Sequence, residues 1–169
     1  HLAKGLTNHF DVYFLNGGQE VKSFDVDTSI QFIQLPAIYK EEGNSGLTSV
    51  DADLSLSECF EQRHQIIRKT VRDIRPDVII TEHFPFGLLF EQEAISLIRY
   101  AKTANSNAKT VCSVRDVIES NEGGGDDWKT VKILNQLYDL VLVHGDEKLI
   151  SIESSFPLIK DVRTRLVYT

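Results

Sequence analysis

The feature that most constrains the fold is the alternation of two kinds of segment from residue 78 onward. Short apolar runs at 78–81, 110–114 and 140–143 are rich in β-branched residues, and segments with helical spacing separate them. The first and last of these runs are nearly continuously apolar, which is typical of strands covered on both faces of a parallel sheet. Because parallel strands are joined by right-handed crossovers, this order predicts an α/β fold: a Rossmann-like parallel sheet with helices on both faces.

Two more strands are predicted nearer the start of the chain, at residues 12–15 and 30–35. The second run alternates apolar and polar residues, which indicates one wetter face or a position near the edge of a sheet. Between these strands and the later ones, Ser55 and Glu58 form a capping-box pattern, in which each side chain satisfies a backbone N–H at the start of a helix. Pro76 ends that helix.

Further helices are predicted where apolar residues recur at helical spacing. They are residues 88–104, a helix capped by Asp126 or Asp127, a short helix after Asp146, and the tail of a helix at residues 2–8. Two polar stretches that contain glycine, residues 36–53 and 122–127, are predicted to be loops.

Composition limits the class of protein. The 169 residues suffice for a core, and no boundary is evident, so residues 1–169 are predicted to form a single domain. The 18 Lys and Arg against 25 Asp and Glu give a net charge of −7 without a basic cluster, so no nucleic-acid partner is expected. No apolar run is long enough to span a bilayer, and membrane contact is expected to be peripheral at most. Two cysteines and the lack of an N-glycosylation sequon favour a cytoplasmic location.

The start of the sequence suggests that it is incomplete. It begins at His1 and contains no methionine. No signal-peptide pattern explains that start. We therefore expect an N-terminally incomplete piece of a longer protein.

Ionisable residues collect directly after the predicted strands. In a parallel sheet the carboxyl ends of the strands meet at one edge, and ligands of doubly wound folds bind there. The residues at these positions are Gly17 and Gly18 after the first strand, Glu82, His83, Phe86 and Gly87 after the third, Arg115 and Asp116 after the fourth, and His144, Gly145 and Asp146 after the fifth. These are the candidate site residues.

Several of these residues also have a structural interpretation. Gly17 and Gly18 can form a tight turn, because glycine tolerates positive φ. Arg115 and Asp116 can form an ion pair that holds a loop. Asp146 can cap the last predicted helix.

His144 and Glu82 are the stronger candidates for chemistry. A histidine that ends a buried strand and precedes a glycine can point into a cleft, and imidazole suits proton transfer at neutral pH. The same side chain can instead hydrogen-bond a neighbouring loop. Glu82 can act as a general base, hold a sugar hydroxyl or cap a helix. Phe86 can fix its loop or pack against a sugar face.

Other chemistries find no support in the sequence. The five histidines and two cysteines lack zinc-ligand spacing. There is no Gly-x-Ser-x-Gly motif, and the triple glycine at 123–125 is not followed by the Lys-Ser or Lys-Thr of a phosphate-binding loop. Neither a metal nor a resident cofactor is predicted.

Five short motifs occur in an order that resembles one protein family. They are Phe84-Pro85-Phe86-Gly87 after a strand start at Arg75-Pro76-Asp77-Val78, Val111-Cys112-Ser113-Val114-Arg115-Asp116, Val141-Leu142-Val143-His144-Gly145-Asp146, Ser155-Phe156-Pro157 and Leu166-Val167-Tyr168-Thr169. Together they resemble the N-terminal half of a family of predicted bacterial glycosyltransferases. That family is related to family 28, which includes the enzyme that adds N-acetylglucosamine to the peptidoglycan lipid intermediate.

The resemblance implies a GT-B architecture, in which two Rossmann-like domains face each other across a cleft. In such enzymes the N-terminal domain mostly holds the acceptor, and the C-terminal domain mostly binds the nucleotide-sugar donor, usually without a metal ion. By matched position, the resemblance gives His144, Glu82 and Asp116 catalytic roles in the cleft and makes residues 36–53 part of the acceptor site. The family's Gly-x-Gly-His loop, itself a candidate for the catalytic base, and the donor-binding domain are both expected outside this sequence.

The expected function is therefore the acceptor-binding half of a nucleotide-sugar-dependent hexosyltransferase. Its partners would be a small-molecule sugar donor and an unidentified acceptor, and the reaction would be a direct displacement at the anomeric carbon. Two alternatives stay open: a sugar-nucleotide epimerase with the same two-domain plan, and a non-catalytic binding module.

Overall fold

A computed structural model describes residues 2–20, 27–40, 46–118 and 127–169 of the chain. The chain divides into two compact units, His1–Lys69 and Thr70–Thr169. The long helix α2 (Leu56–Ile74) begins in the first unit and ends in the second.

The first unit contains a short helix, two small sheets and most of α2. Its other elements are α1 (Leu2–Leu6), β1 (Val12–Asn16), β2 (Ile30–Gln34), β3 (Ile38–Lys40) and β4 (Leu47–Ser49). Strands β1 and β2 pair in parallel, and β3 and β4 pair antiparallel. Both strands predicted in this part of the chain are confirmed, and β2 lies in a two-stranded sheet, where every strand is an edge.

The prediction of a loop over residues 36–53 was wrong in part, because β3 and β4 lie inside it. Each of these strands is only three residues long, too short to show the alternation from which a strand is predicted. The other predicted loop, 122–127, falls outside the described residues except for Asp127.

The predicted capping box at the start of α2 is confirmed. The Ser55 amide and hydroxyl both donate to Glu58 Oε2, at 2.9 and 2.6 Å, and the Glu58 amide donates to Ser55 Oγ at 3.3 Å. The hydrogen bond from the Ser55 hydroxyl, with that from its amide, lowers the pKa of Glu58. The helix ends at Ile74, and Arg75 adopts a positive φ of 52° directly before Pro76.

The second unit is built on a four-stranded parallel sheet with strand order β5-β6-β7-β8. Its elements are β5 (Val78–Glu82), α3 (Glu91–Ala104), β6 (Lys109–Arg115), α4 (Asp127–Leu137), β7 (Leu140–His144), two 3-10 helices (Ile152–Ser154 and Pro157–Asp161) and β8 (Arg165–Tyr168). Helices flank this sheet, so the predicted Rossmann-like α/β fold is confirmed.

The core of the second unit centres on β6. Its five inner residues, Thr110 to Val114, are all buried, so the strand is covered on both faces. On β7 burial alternates, and Val141 and Val143 are fully buried. Helices α3 and α4 contribute Ile98 and Leu134, which are also buried.

The segment after β7 differs from its prediction. In place of a short helix after Asp146, the chain forms a turn and then two 3-10 helices. Ser151 adopts an extended conformation and its side chain accepts a hydrogen bond from the Glu153 amide, which starts a new helix and interrupts any continuous one. Strand β8 was not predicted.

No helix in the described part of the chain is both long and apolar enough to cross a membrane.

Asp139 joins three segments at the amino edge of the sheet. Its carboxylate accepts hydrogen bonds from the Thr110 amide at 2.8 Å, from Lys102 Nζ at 3.2 Å and from Lys109 Nζ at 3.3 Å. Burial raises the pKa of Asp139, but these three hydrogen bonds outweigh it and leave the pKa below its ordinary value. The charged form therefore stabilises the folded state.

Because its folded pKa is lowered, Asp139 contributes stability that is present above the unfolded pKa of about 3.9 and is lost as pH falls through the lower, folded pKa. We expect Asp139→Asn to lower the free energy of unfolding by about 1 kcal/mol at neutral pH, and the difference from wild type to shrink as the pH falls below about 4. Urea unfolding at several pH values measures this. The exposed Glu153, whose carboxylate forms no ion pair with the described residues, supplies the control variant Glu153→Gln. A difference that does not change with pH would contradict the assignment.

Candidate active site

The carboxyl edge of the second sheet brings polar side chains from three neighbouring strands onto one face. In the register of the sheet, Glu82 lies opposite Ser113, and Arg115 lies opposite His144. Paired residues of parallel strands project to the same face, and so do residues two apart on one strand. Glu82, Ser113, Arg115 and His144 therefore share a face.

His144 is held by hydroxyl groups on both sides of its ring. Its Nε2 lies 2.9 Å from Ser113 Oγ, and its Nδ1 lies 2.8 Å from Thr169 Oγ1. Ser113 is only 2% exposed, whereas Thr169 is exposed and directly follows β8. The ring thus links the buried interior of β6 with an accessible position at the sheet edge.

Asp116 packs against Gly145. A methyl group added at Gly145 would lie 2.2 Å from Asp116 Oδ2 and 2.7 Å from Asp116 Cβ, so only glycine fits there. The backbone at Asp116 is itself fixed by Ser155, whose Oγ lies 3.2 Å from the Asp116 carbonyl and accepts from the Ile118 amide at 3.0 Å. Within the described residues Asp116 forms no ion pair with Arg115, so the structural role considered for that pair is not what holds the loop.

The loop after β5 is tight and carries an exposed histidine. His83 has a positive φ of 64°, its amide donates to the Ser113 carbonyl at 2.8 Å, and its own carbonyl accepts from the Phe86 and Gly87 amides at 2.8 and 3.2 Å. The imidazole of His83 lies against Gly87, where an added methyl group would be 2.5 Å from its Cδ2. A non-glycine residue with positive φ costs roughly 1–3 kcal/mol and persists where its surroundings hold it.

Three buried side chains hold this loop in place through hydrogen bonds to its carbonyl groups. Thr81 Oγ1 donates to the Phe84 carbonyl at 3.0 Å and lies 2.7 Å from the Tyr138 hydroxyl, which is 3.2 Å from the same carbonyl. Thr130 Oγ1 donates to the Pro85 carbonyl at 2.9 Å. Burial raises the pKa of Tyr138 well above its ordinary value, so its hydroxyl stays protonated. Glu82 and His83, which are exposed at the start of this loop, are therefore held in place by the buried hydrogen bonds.

Two candidate residues have structural roles. Phe86 is 4% exposed, and its ring packs edge-on against Phe156 with centroids 5.1 Å apart, so it offers no face to a sugar. The Asp146 side chain accepts a hydrogen bond from the Lys148 amide at 2.9 Å and so fixes a turn, where a helix cap had been considered.

Gly17 and Gly18 belong to the first unit, where their carbonyls accept hydrogen bonds from side chains. The buried Arg63, 2% exposed, donates to the carbonyls of Gly17 and Pro36 at 2.9 and 2.8 Å. A methyl group at Gly17 would lie 2.6 Å from Arg63 Nη2, so a larger residue there would push the end of the buried Arg63 side chain away from its carbonyl partners. Their contribution to a site with the second-unit residues stays a prediction, as does that of residues 36–53.

The structure thus gathers most of the candidate residues at one edge of one sheet. Those at the carboxyl edge of the second sheet are Glu82, His83, Gly87, Arg115, Asp116, His144, Gly145 and Asp146. Sequence reasoning missed Ser113 and Thr169 as partners of His144. A serine inside an otherwise apolar strand was the available signal for Ser113, because buried polar groups need partners.

The described residues contain no group of three or more His, Cys, Asp and Glu side chains that could hold a metal ion. Both cysteines are free and buried, and burial raises the pKa of Cys112 to about 12, so its thiol is not a nucleophile at neutral pH.

Comparisons with protein families, with curated proteins and with solved structures gave no match to this chain.

The contact between Gly145 and Asp116 can be tested by adding one methyl group. We expect Gly145→Ala to lower the free energy of unfolding by about 1–3 kcal/mol, because the Asp116 side chain has to move out of the way. Combining it with Asp116→Gly removes the clashing atoms, so the double variant should lose much less than the sum of the two single changes. Urea unfolding of all four proteins completes the cycle. Equal losses with and without the Asp116 side chain would contradict the packing.

Proposed function

We propose that this chain is the acceptor-binding half of a nucleotide-sugar-dependent glycosyltransferase of the GT-B type. The observation that carries the proposal is the set of two carboxylates and two imidazoles at one edge of the sheet, Glu82, Asp116, His83 and His144. Ligands of Rossmann-like sheets bind at this edge. The motifs that resemble the family 28-related glycosyltransferases contain Asp116 and His144, and by matched position the resemblance also gives Glu82 a role in the cleft.

The arrangement suits a ligand rich in hydroxyl groups. Carboxylates accept hydrogen bonds from hydroxyls, and an imidazole can donate one and accept one. Neighbouring strands are about 4.8 Å apart, so β5 and β7 lie about 10 Å apart across β6. Because Glu82 pairs with Ser113 and His144 pairs with Arg115, the two residues are also offset by two positions along the strands, and a hexose with its hydroxyl groups can lie between their side chains.

The proposed reaction is a displacement at the anomeric carbon of the donor sugar. The acceptor hydroxyl oxygen forms the new glycosidic bond while the bond from that carbon to the diphosphate oxygen breaks. The hydroxyl proton passes to a base among Glu82, Asp116 and His144, and the diphosphate leaves with the bonding electron pair. The donor-binding domain would stabilise the leaving charge with helix N-termini and backbone amides. We place the enzyme in the cytoplasm and assign it no metal.

The test uses a full-length protein that carries this chain, with a panel of UDP-, GDP- and dTDP-sugars as donors and simple glycosides as acceptors. We expect Glu82→Ala, Asp116→Ala and His144→Ala each to lower kcat/KM for transfer, and loss of the residue that serves as the base to cost about 10²–10⁴-fold in kcat. Glu147→Ala is the control, because Glu147 is an exposed carboxylate two residues after Gly145 with no assigned role. Product formation is followed by mass spectrometry.

Three results would overturn the proposal in different ways. Full transfer activity in all three alanine variants would contradict the assignment of these residues to the site. Release of an epimerised nucleotide sugar in the absence of acceptor would favour the epimerase. Neither binding nor turnover of any nucleotide sugar would favour the binding module.

A further inference from the structure

The hydrogen bond of the buried Ser113 hydroxyl decides which nitrogen of His144 carries the proton. Ser113 is 2% exposed, and the only hydrogen-bond partner of its Oγ among the described residues is His144 Nε2, at 2.9 Å. A serine hydroxyl has one hydrogen to donate, and a buried donor without an acceptor is costly.

Two arrangements of hydrogens satisfy the distances around the ring, but only one satisfies Ser113. If Nε2 carried the proton, it would donate to Ser113 Oγ, and the serine hydrogen would have no acceptor among the described residues. If Nδ1 carries the proton, Nε2 accepts from Ser113, and Nδ1–H donates to Thr169 Oγ1 at 2.8 Å. Thr169 is exposed, so its own hydroxyl hydrogen can go to water.

We infer that Ser113 fixes His144 as the Nδ1–H tautomer, so that the sheet edge presents an N–H donor. The position of Thr169 Oγ1 is then the position in which a ligand oxygen, through one of its lone pairs, would accept from Nδ1–H. A hydroxyl or carbonyl oxygen of a bound sugar can accept the hydrogen bond from Nδ1–H by displacing the exposed Thr169 hydroxyl. Ser113 is a positioning residue, because it acts on the ligand only through His144.

This inference rests on the proposed function for the identity of the ligand, and it narrows the choice of the catalytic base. The lone pair of His144 lies on Nε2, which faces the buried Ser113 hydroxyl and is closed to a substrate. His144 therefore binds and orients the sugar, and it does not take the acceptor proton. Within this chain the base is then a carboxylate, Glu82 or Asp116.

The tautomer can be read directly, without any substrate. Long-range ¹H–¹⁵N spectra of this chain with labelled histidine, recorded in mildly alkaline buffer, separate protonated from unprotonated ring nitrogens. The His144 signals are assigned by their loss in His144→Gln. We expect Nδ1 to have the protonated type of shift and Nε2 the unprotonated type.

Matched variants on the two sides of the ring sharpen the test. Ser113→Ala removes the hydroxyl that fixes the tautomer, and we expect the two forms to mix, whereas Ser113→Thr keeps a hydroxyl and should restore a single form. Thr169→Val removes the partner of Nδ1 but leaves Ser113, so the Nδ1–H tautomer should persist. If Ser113→Ala does not fold, the wild-type and Thr169→Val spectra still decide.

A wild-type spectrum with the proton on Nε2, or equal mixing in wild type, would overturn the inference. Loss of the Nδ1–H form in Thr169→Val would do the same, because Thr169 and not Ser113 would then set the tautomer. None of these outcomes depends on sugar transfer, so failure of the proposed function is read separately in the transfer assay.

Discussion

The parallel pairing of β6 with both of its neighbours is the constraint on which the site depends. Its register with β5 and β7 sets which side chains face the core and which share the other face. Thr81 and Val143 point into the interior, whereas the next residues along the chain, Glu82 and His144, point the opposite way. A slip of one residue would exchange these two sets, so the same pairing that fills the core also builds the candidate site.

The site is supported by buried polar groups as much as by apolar packing. Below the loop after β5, Thr81, Tyr138 and Thr130 hold the carbonyls of Phe84 and Pro85, and this support leaves His83 exposed with its positive φ. In β6, Ser113 makes a comparable contact to His144. Such groups are costly to bury without partners, so each favours one arrangement of the backbone or side-chain group that it contacts.

Most of the sheet could be predicted from the sequence because its strands are continuous apolar runs between strong helix signals. The finer geometry of the site could not be predicted. The bond between Ser113 and His144 spans 31 positions and depends on strand register, which periodicity does not specify. Phe86 and Gly17 show the same limit. Phe86 lies in a motif and Gly17 directly follows a predicted strand, but only coordinates show that Phe86 packs against Phe156 and that Gly17 leaves room for Arg63.

The measurement that tests this register most directly is the pattern of backbone nuclear Overhauser effects between β6 and β7 in the folded chain. The structure requires parallel contacts that pair Ser113 with Leu142 and Arg115 with His144. Contacts of the antiparallel type, or a pattern offset by one residue that pairs Arg115 with Val143, would turn His144 away from Ser113 and Glu82. The shared face, and the proposals built on it, would then be lost.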